Sequence, residues 1–235
     1  MLLSAQIKMT TSLEQQAAQL THELSQTYGL AVDHKTKNNV LRTLFEHQAE
    51  IKKKSHSELC QWLINEMSVN ETYFFRDQIL TPYFIKYLLQ WTKSEKRDLT
   101  IWSMGSSSGE EAYTFAMLLD DYGIFSLANA KIRILGFDIS TRVLEQAKSG
   151  RYQEPSLRTT TSYYLAKYFN REDKTYLLSP QIRDSAQFFH FNLAKDIFNQ
   201  VLIDDLVHTY GAPDIIVCRN ILIYFKKGVV LLGQT

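Results

Sequence analysis

Glycine and proline are scarce in this 235-residue chain, with 9 and 4 copies. So thin a supply of turn formers excludes a low-complexity protein and points to regular, mostly helical structure. Cysteine is scarcer still. Cys60 and Cys218 are the two copies, too few for a disulfide framework and suited to a reducing cytosol. An excess of one charge is missing as well: 26 Lys and Arg against 25 Asp and Glu leave +1, so no global field favours nucleic acid or an anionic membrane. No apolar run approaches the roughly 18–20 residues that span a bilayer. The polar sequence after Met1–Leu3 contains no signal-peptide core. Against these absences stand ordinary globular proportions, 45% hydrophobic and 22% charged, and a length that supports roughly one to two domains. The expectation is a cytoplasmic protein that neither binds nucleic acid nor inserts into a membrane.

The first ninety residues carry helical periodicity. Leu13, Ala17, Leu20, Leu24 and Tyr28 form an apolar stripe over 12–28, with Gly29 as a stop. The pattern repeats over 38–52 through Val40, Leu41, Leu44, Phe45 and Ile51, and over 57–67 through Leu59, Cys60, Leu63 and Ile64. Thr81-Pro82 reads as an N-cap and first-turn proline of a helix reaching Trp91. At Asp98 the period changes. Leu99–Met104 and Lys131–Phe137 read as strands, each followed by a helical pattern, over 111–121 and, capped by Ser140, up to Lys148. Phe188–Phe191 and Asp214–Cys218 are further strand candidates. Strands alternating with helices imply a parallel sheet with helices on its faces.

The most informative stretch is Gly105-Ser-Ser-Ser-Gly109-Glu110-Glu111, at the first strand-to-helix turn. Its glycines let backbone approach a ligand, and the helix start presents free N–H groups. No Gly-Lys-Ser/Thr follows, which excludes the phosphate loop, and the glycine spacing is wrong for a dinucleotide. Paired carboxylates here favour a cationic ligand, and S-adenosylmethionine, with an ammonium, a sulfonium and no phosphate, meets that demand. The alternative is that both acids simply complement the helix dipole. Asp138, ending the second strand, is placed to accept hydrogen bonds from ribose hydroxyls, or to cap the next helix. Arg219 and Asn220 interrupt an apolar run where burial requires partners. Tyr224 fits a site or a core position equally. Arg76 suits a carboxylate through its planar fork, or a solvated face beside Asp77. Phe74 reads as core. The six histidines, His22, His34, His47, His56, His190 and His208, show no metal-ligand spacing, and no nucleophile elbow is present.

Asn70-Glu-Thr-Tyr-Phe-Phe-Arg76, Gly105–Tyr113, Gly136-Phe-Asp-Ile-Ser140, Asn192-Leu193 and Cys218-Arg-Asn-Ile-Leu-Ile-Tyr-Phe225 occur in that order. In these motifs the chain resembles the CheR family of chemotaxis receptor glutamate methyltransferases, over roughly residues 20–225. The resemblance implies an α/β fold: a Rossmann-like S-adenosylmethionine-dependent methyltransferase domain, 79–235, after a small all-α domain, 1–78. It implies S-adenosyl-L-methionine as cofactor, S-adenosyl-L-homocysteine as product, and the cytoplasmic helical domain of chemoreceptors as partner. By motif, Asn70, Thr72 and Arg76 lie against cofactor and substrate, with Gly105 in the cofactor turn. Glu110 holds the cofactor's amino-acid end, Asp138 its ribose, and Asn192 with Leu193 its adenine, while Arg219 and Asn220 complete the pocket. Arg76 and Tyr224 are the expected catalytic, substrate-positioning residues, and no metal is expected.

Three departures from the family pattern stand out. The stretch 169–180, inside a short inserted subdomain at about 165–190, has no glycine, which argues against docking of a receptor tail peptide. Lys35, Lys37, Arg42 and Lys52–Lys54 are a weaker basic row than the family sets against acidic receptor helices. After Phe225 the family continues with a helix and a β-hairpin, absent here, which implies either truncation or an edge rebuilt by dimerisation. Two alternatives to receptor methylation follow: a catalytically impaired S-adenosylmethionine-binding module, and a small-molecule methyltransferase.

Overall fold

Side-chain caps set where the helices begin. In the computed structural model, which describes residues 2–68, 71–95, 98–221 and 225, with side chains from Leu13, α1 spans Leu2–Thr27 and α2 spans His34–Glu46. Asp33 caps α2 by accepting from the Thr36 N–H at 2.7 Å, so the helix starts earlier than the apolar stripe alone implies. It stops at His47, after which Gln48–Ile51 form a one-turn helix, α3, rather than a continuation to Lys52. Ser55 and Glu58 form a reciprocal capping box that opens α4, His56–Met67.

Helix α5, Leu80–Trp91, corrects the expected Thr81-Pro82 start. The Asp77 carboxylate accepts from the N–H groups of Ile79 and Leu80, both at 2.8 Å. It satisfies two of the orphan donors at the helix start, and Thr81 lies inside the helix. Then come β1 (Asp98–Met104), α6 (Glu110–Asp121), β2 (Lys131–Asp138) and α7 (Thr141–Ser149). The chain continues through β3 (Arg151–Gln153), α8 (Ser162–Tyr168), β4 (Phe169–Glu172), β5 (Thr175–Leu178) and α9 (Pro180–Arg183). The last elements described are β6 (Ala186–His190), α10 (Leu193–Asp196), α11 (Gln200–Tyr210) and β7 (Ile215–Cys218).

Two compact units result, one of Met1–Val69 with Asn192–Asn199 and Asn220–Thr235, the other of Asn70–Phe191 with Gln200–Arg219. These limits differ from the 1–78 and 79–235 division. Residues 71–78 group with the α/β unit because Phe74, fully buried, packs edge-on against Tyr152 and Phe169 at 4.7 and 5.1 Å. Of the described residues, 192–199, 220, 221 and 225 group with the helices.

The helical unit buries Leu20 and Leu24 of α1, Val40 and Leu44 of α2, and Leu59, Leu63 and Ile64 of α4. In the α/β unit, four parallel strands run in the order β6-β2-β1-β7. Strand β1 is buried along six of its seven residues, as a central strand covered by helices on both faces must be. The carboxyl ends of β1 and β2 meet where Met104 faces Phe137. A second, antiparallel sheet, β3-β5-β4, joins Arg151–Gln153 to the hairpin over 169–178. The glycine-free stretch therefore forms paired strands, turning at Asp173, which takes φ 53°. Asp tolerates that left-handed conformation, so the hairpin needs no glycine.

Candidate functional site

The loop from Gly105 to Gly109 leaves β1 in a tight coil. Gly105, Ser107 and Gly109 all take positive φ, at 74°, 49° and 90°, a winding that glycine permits at the two ends. Gly105 and Ser106 donate their N–H groups to the Phe137 carbonyl at 2.8 and 2.9 Å, tying the loop to the end of β2. The Asp138 carboxylate completes the tie, accepting from the Ser107 N–H and the Ser140 N–H, each at 2.9 Å. Asp138 is thus a clamp between the loop and the start of α7, held by the backbone of Ser107, Ile139 and Ser140, and its remaining acceptor capacity is open to a ligand hydroxyl. Burial raises its pKa above the usual Asp range, while those backbone donors and the nearby His190 hold it down in part.

Glu110 and Glu111, adjacent in sequence, occupy different surroundings. The Glu110 side chain is buried, accepting from Ser108 Oγ at 2.7 Å and Ser156 Oγ at 3.0 Å. The Tyr152 hydroxyl braces the same corner by donating to the Ser108 carbonyl at 2.7 Å. Burial raises the pKa of Glu110, against the two serine hydroxyls. Glu111 instead accepts from Ser103 Oγ at 2.6 Å and from Arg219 Nη2 at 3.2 Å. Its pKa is also raised by burial, with Ser103 and the Arg76 charge acting the other way. Arg219 pairs in addition with Asp77. Burial and then repulsion from Arg76 lower its pKa. One corner of the α/β unit therefore gathers two carboxylates, Asp77 and Glu111, with two guanidinium groups, Arg76 and Arg219. Arg76 is half-buried, donates to the Glu71 carbonyl at 2.5 Å and lies over the Tyr73 ring at 5.6 Å.

Ser106 Oγ and Ser107 Oγ in the loop, and Arg219 Nε at this corner, are buried without a hydrogen-bond partner among the described residues. Each is a free hydrogen-bonding group. Of the residues expected from sequence, Thr72, Arg76, Gly105, Glu110, Asp138 and Arg219 all fall in the α/β unit. Asn192, Leu193 and Asn220 group with the helical unit. There Asn192 is the N-cap of α10, accepting from the Ala194 N–H at 3.1 Å and donating its amide to the Thr27 carbonyl at 3.2 Å. Leu193 is half-buried, and Asn220 is exposed with φ 57°. Asn70 and Tyr224 lie outside the described residues. Sequence reasoning singled out Glu111 with Glu110 but not its pairing with Arg219, and it missed Asp77, Ser103 and Ser156. Asp77 had a signal, since an acid three residues before an apolar helix is a capping pattern. Ser156 had none, being 46 residues from its partner.

The family model described as CheR methyltransferase, SAM binding domain, matches residues 70–229. A chemotaxis protein methyltransferase of Borreliella burgdorferi is 34% identical over 171 residues, covering 70% of this chain and 57% of that protein. Chemotaxis protein methyltransferase 2 of Vibrio cholerae is 34% identical over 191 residues, 77% of this chain and 63% of the relative. The Escherichia coli chemotaxis protein methyltransferase is 30% identical over 173 residues, 73% of this chain and 56% of the relative. The chain thus spans roughly three fifths of the length of these relatives.

Proposed function

The chain belongs to the CheR methyltransferase family, and from that membership we propose that it methylates glutamate carboxylates on the cytoplasmic helical domain of chemoreceptors. The single observation that carries the reading is the clamped loop between β1 and α6. It has buried carboxylates on both sides, Glu110 and Asp138, and unpartnered serine hydroxyls within it. The matched domain is the family's S-adenosylmethionine-binding domain, and the donor set fits that molecule. Buried acids with raised proton affinity suit a cation, the N–H groups of Gly105, Ser106 and Ser107 are already engaged by Phe137 and Asp138, and no Lys or Arg lies in 105–111 to receive a phosphate.

When bound, S-adenosylmethionine supplies a methyl group on a positively charged sulfur. In this reading Glu110 holds the ammonium of its amino-acid end, and Asp138 takes the ribose hydroxyls with the oxygen lone pairs its backbone donors leave free. By the family motifs, Asn70 and Thr72 lie against cofactor and substrate, Gly105 lets the backbone approach, Asn192 and Leu193 serve the adenine, and Arg219 with Asn220 completes the pocket. Arg76 and Tyr224 orient the substrate. A glutamate carboxylate is already ionised at neutral pH, so no general base is required. Joining it to a cation disperses both charges, so a water-poor pocket accelerates transfer, and the remaining requirement is in-line placement of the reacting atoms. The Arg76 fork would dampen the carboxylate's nucleophilicity if held tightly, so its role is orientation. Among the described residues no helix is long and apolar enough to cross a membrane, which is compatible with action from the cytoplasm.

The test is incubation with labelled S-adenosylmethionine and receptor cytoplasmic fragments. Base-labile label on the receptor is the expected result. Cofactor binding without transfer would replace the proposal with a binding module, and label in a small organic product with a small-molecule methyltransferase.

A further inference from the structure

The helical unit carries a separate group of chemistry-bearing side chains. His56 and Cys60 stand one turn apart on α4, so both point to the same face. Glu23, on α1, meets them there: its Oε2 pairs with His56 Nε2, and Cys60 Sγ lies 3.9 Å from the same nitrogen. The carboxylate oxygen, imidazole nitrogen and sulfur all lie within 4.8 Å of one another, the one such group of three among the described residues. We propose that Glu23, His56 and Cys60 form a zinc site tying α1 to α4 in the helical unit, with water as the fourth ligand.

Geometry, donor chemistry and access each support the assignment. A tetrahedral zinc holds its nitrogen, oxygen and sulfur ligand atoms roughly 3.5 Å from one another, so the sulfur–nitrogen separation of 3.9 Å has to shorten slightly and the directly paired His56 and Glu23 have to part to admit the ion. Sulfur, nitrogen and carboxylate oxygen form a mixed set of borderline softness that suits zinc better than calcium or magnesium. The sulfur sits at the bottom, with Cys60 fully buried. The mouth is open, because the His56 side chain is 57% exposed and that of Glu23 is 30% exposed, which leaves room for a water ligand. The capping box of Ser55 and Glu58, which flank His56, fixes that end of α4. Histidine spacing alone gives no sign of the site, since two of its ligands are not histidine and Glu23 lies 33 residues from His56.

The site makes no use of the methyl-transfer reading and is tested apart from it. The full chain, stripped with a chelator, is titrated with zinc by calorimetry, and its cobalt form is examined by absorption. The expected result is one zinc per chain, a thiolate-to-cobalt charge-transfer band that Cys60→Ser abolishes, and weaker zinc binding in His56→Gln. Loss of a direct ligand should match or exceed the roughly 10–100-fold effect of losing an outer-shell partner. Cys60 is buried, so should Cys60→Ser fail to fold, Glu23→Gln and His56→Gln, both at the open mouth, decide the matter by their zinc affinity. Absence of stoichiometric binding, or equal affinity in the parent and these variants, would overturn the assignment and leave a histidine–glutamate pair beside a buried thiol.

Discussion

Replacing Gly136 by alanine tests how the loop is supported. Gly136 of β2 lies directly across from Phe188 of β6 in the parallel register. A Cβ added at Gly136 would sit 2.5 and 2.6 Å from two atoms of the Phe188 ring and 2.9 Å from Ser106 Oγ. On its other side the ring is confined, since a Cβ at Gly109 would meet its tip at 2.9 Å, and Tyr113 packs edge-on at 5.3 Å. Two glycines, one on the sheet and one opening α6, thus make room for one aromatic ring. Ordinary carbon contacts begin near 3.5 Å, so the ring or β2 must move by roughly 1 Å. Overpacking of this kind costs about 1–3 kcal/mol, and the confinement places Gly136→Ala at about 2–3. For a chain of this length that lowers Tm by about 4–12 °C. Phe188→Leu should relieve the clash, so a double-mutant cycle read by thermal unfolding should show a coupling of about 1 kcal/mol or more. Because Ser106 is displaced as well, S-adenosylhomocysteine binding measured by calorimetry should weaken in Gly136→Ala and recover in the double variant. Unchanged stability in Gly136→Ala, or strict additivity of the two changes, would refute the shared-space argument.

Other consequences follow from the same geometry. Arg76→Ala should lower methyl transfer to receptor fragments far more than it lowers cofactor affinity, and equal losses in both would count against an orienting role. Burial raises the pKa of Glu110, so its contribution to stability is fully present below the ordinary Glu range and is lost as pH rises through the raised value. Chemical denaturation of Glu110→Gln should therefore show the variant gaining on the parent as pH rises above the ordinary Glu range, and a pH-independent difference would contradict the assigned direction. Tyr152→Phe deprives the Ser108 carbonyl of its 2.7 Å donor and should destabilise by about 1–3 kcal/mol, while a neutral result would mean that water takes the vacated place.

Much of the α/β unit was legible because its signals are local. Alternating and continuous apolar runs marked β1 and β2 to within one residue of their observed bounds. The glycine-bounded turn and the acid ending β2 marked one edge of the sheet. Helix starts were less legible, because Asp33 and Asp77 act through single side-chain acceptors placed ahead of the apolar stripe. The antiparallel sheet escaped notice because β3 is three residues long and pairs with a hairpin contributed from further along the chain.

The chain's own order of residues was enough to establish the alternation of strands and helices, the acidic turn and the family. Each depends on side chains a few positions apart, where backbone geometry leaves little freedom. Folding in three dimensions settled what neighbours along the chain cannot. Glu110 is enclosed by Ser108 and Ser156, while Glu111 joins Arg219, because consecutive helix residues point about 100° apart into different surroundings. Asn192 turned out to cap α10, and Glu23 came to face His56 and Cys60 from another helix. The proton affinity of such groups is set by desolvation and by partners distant in sequence, and both exist once the core has closed around them.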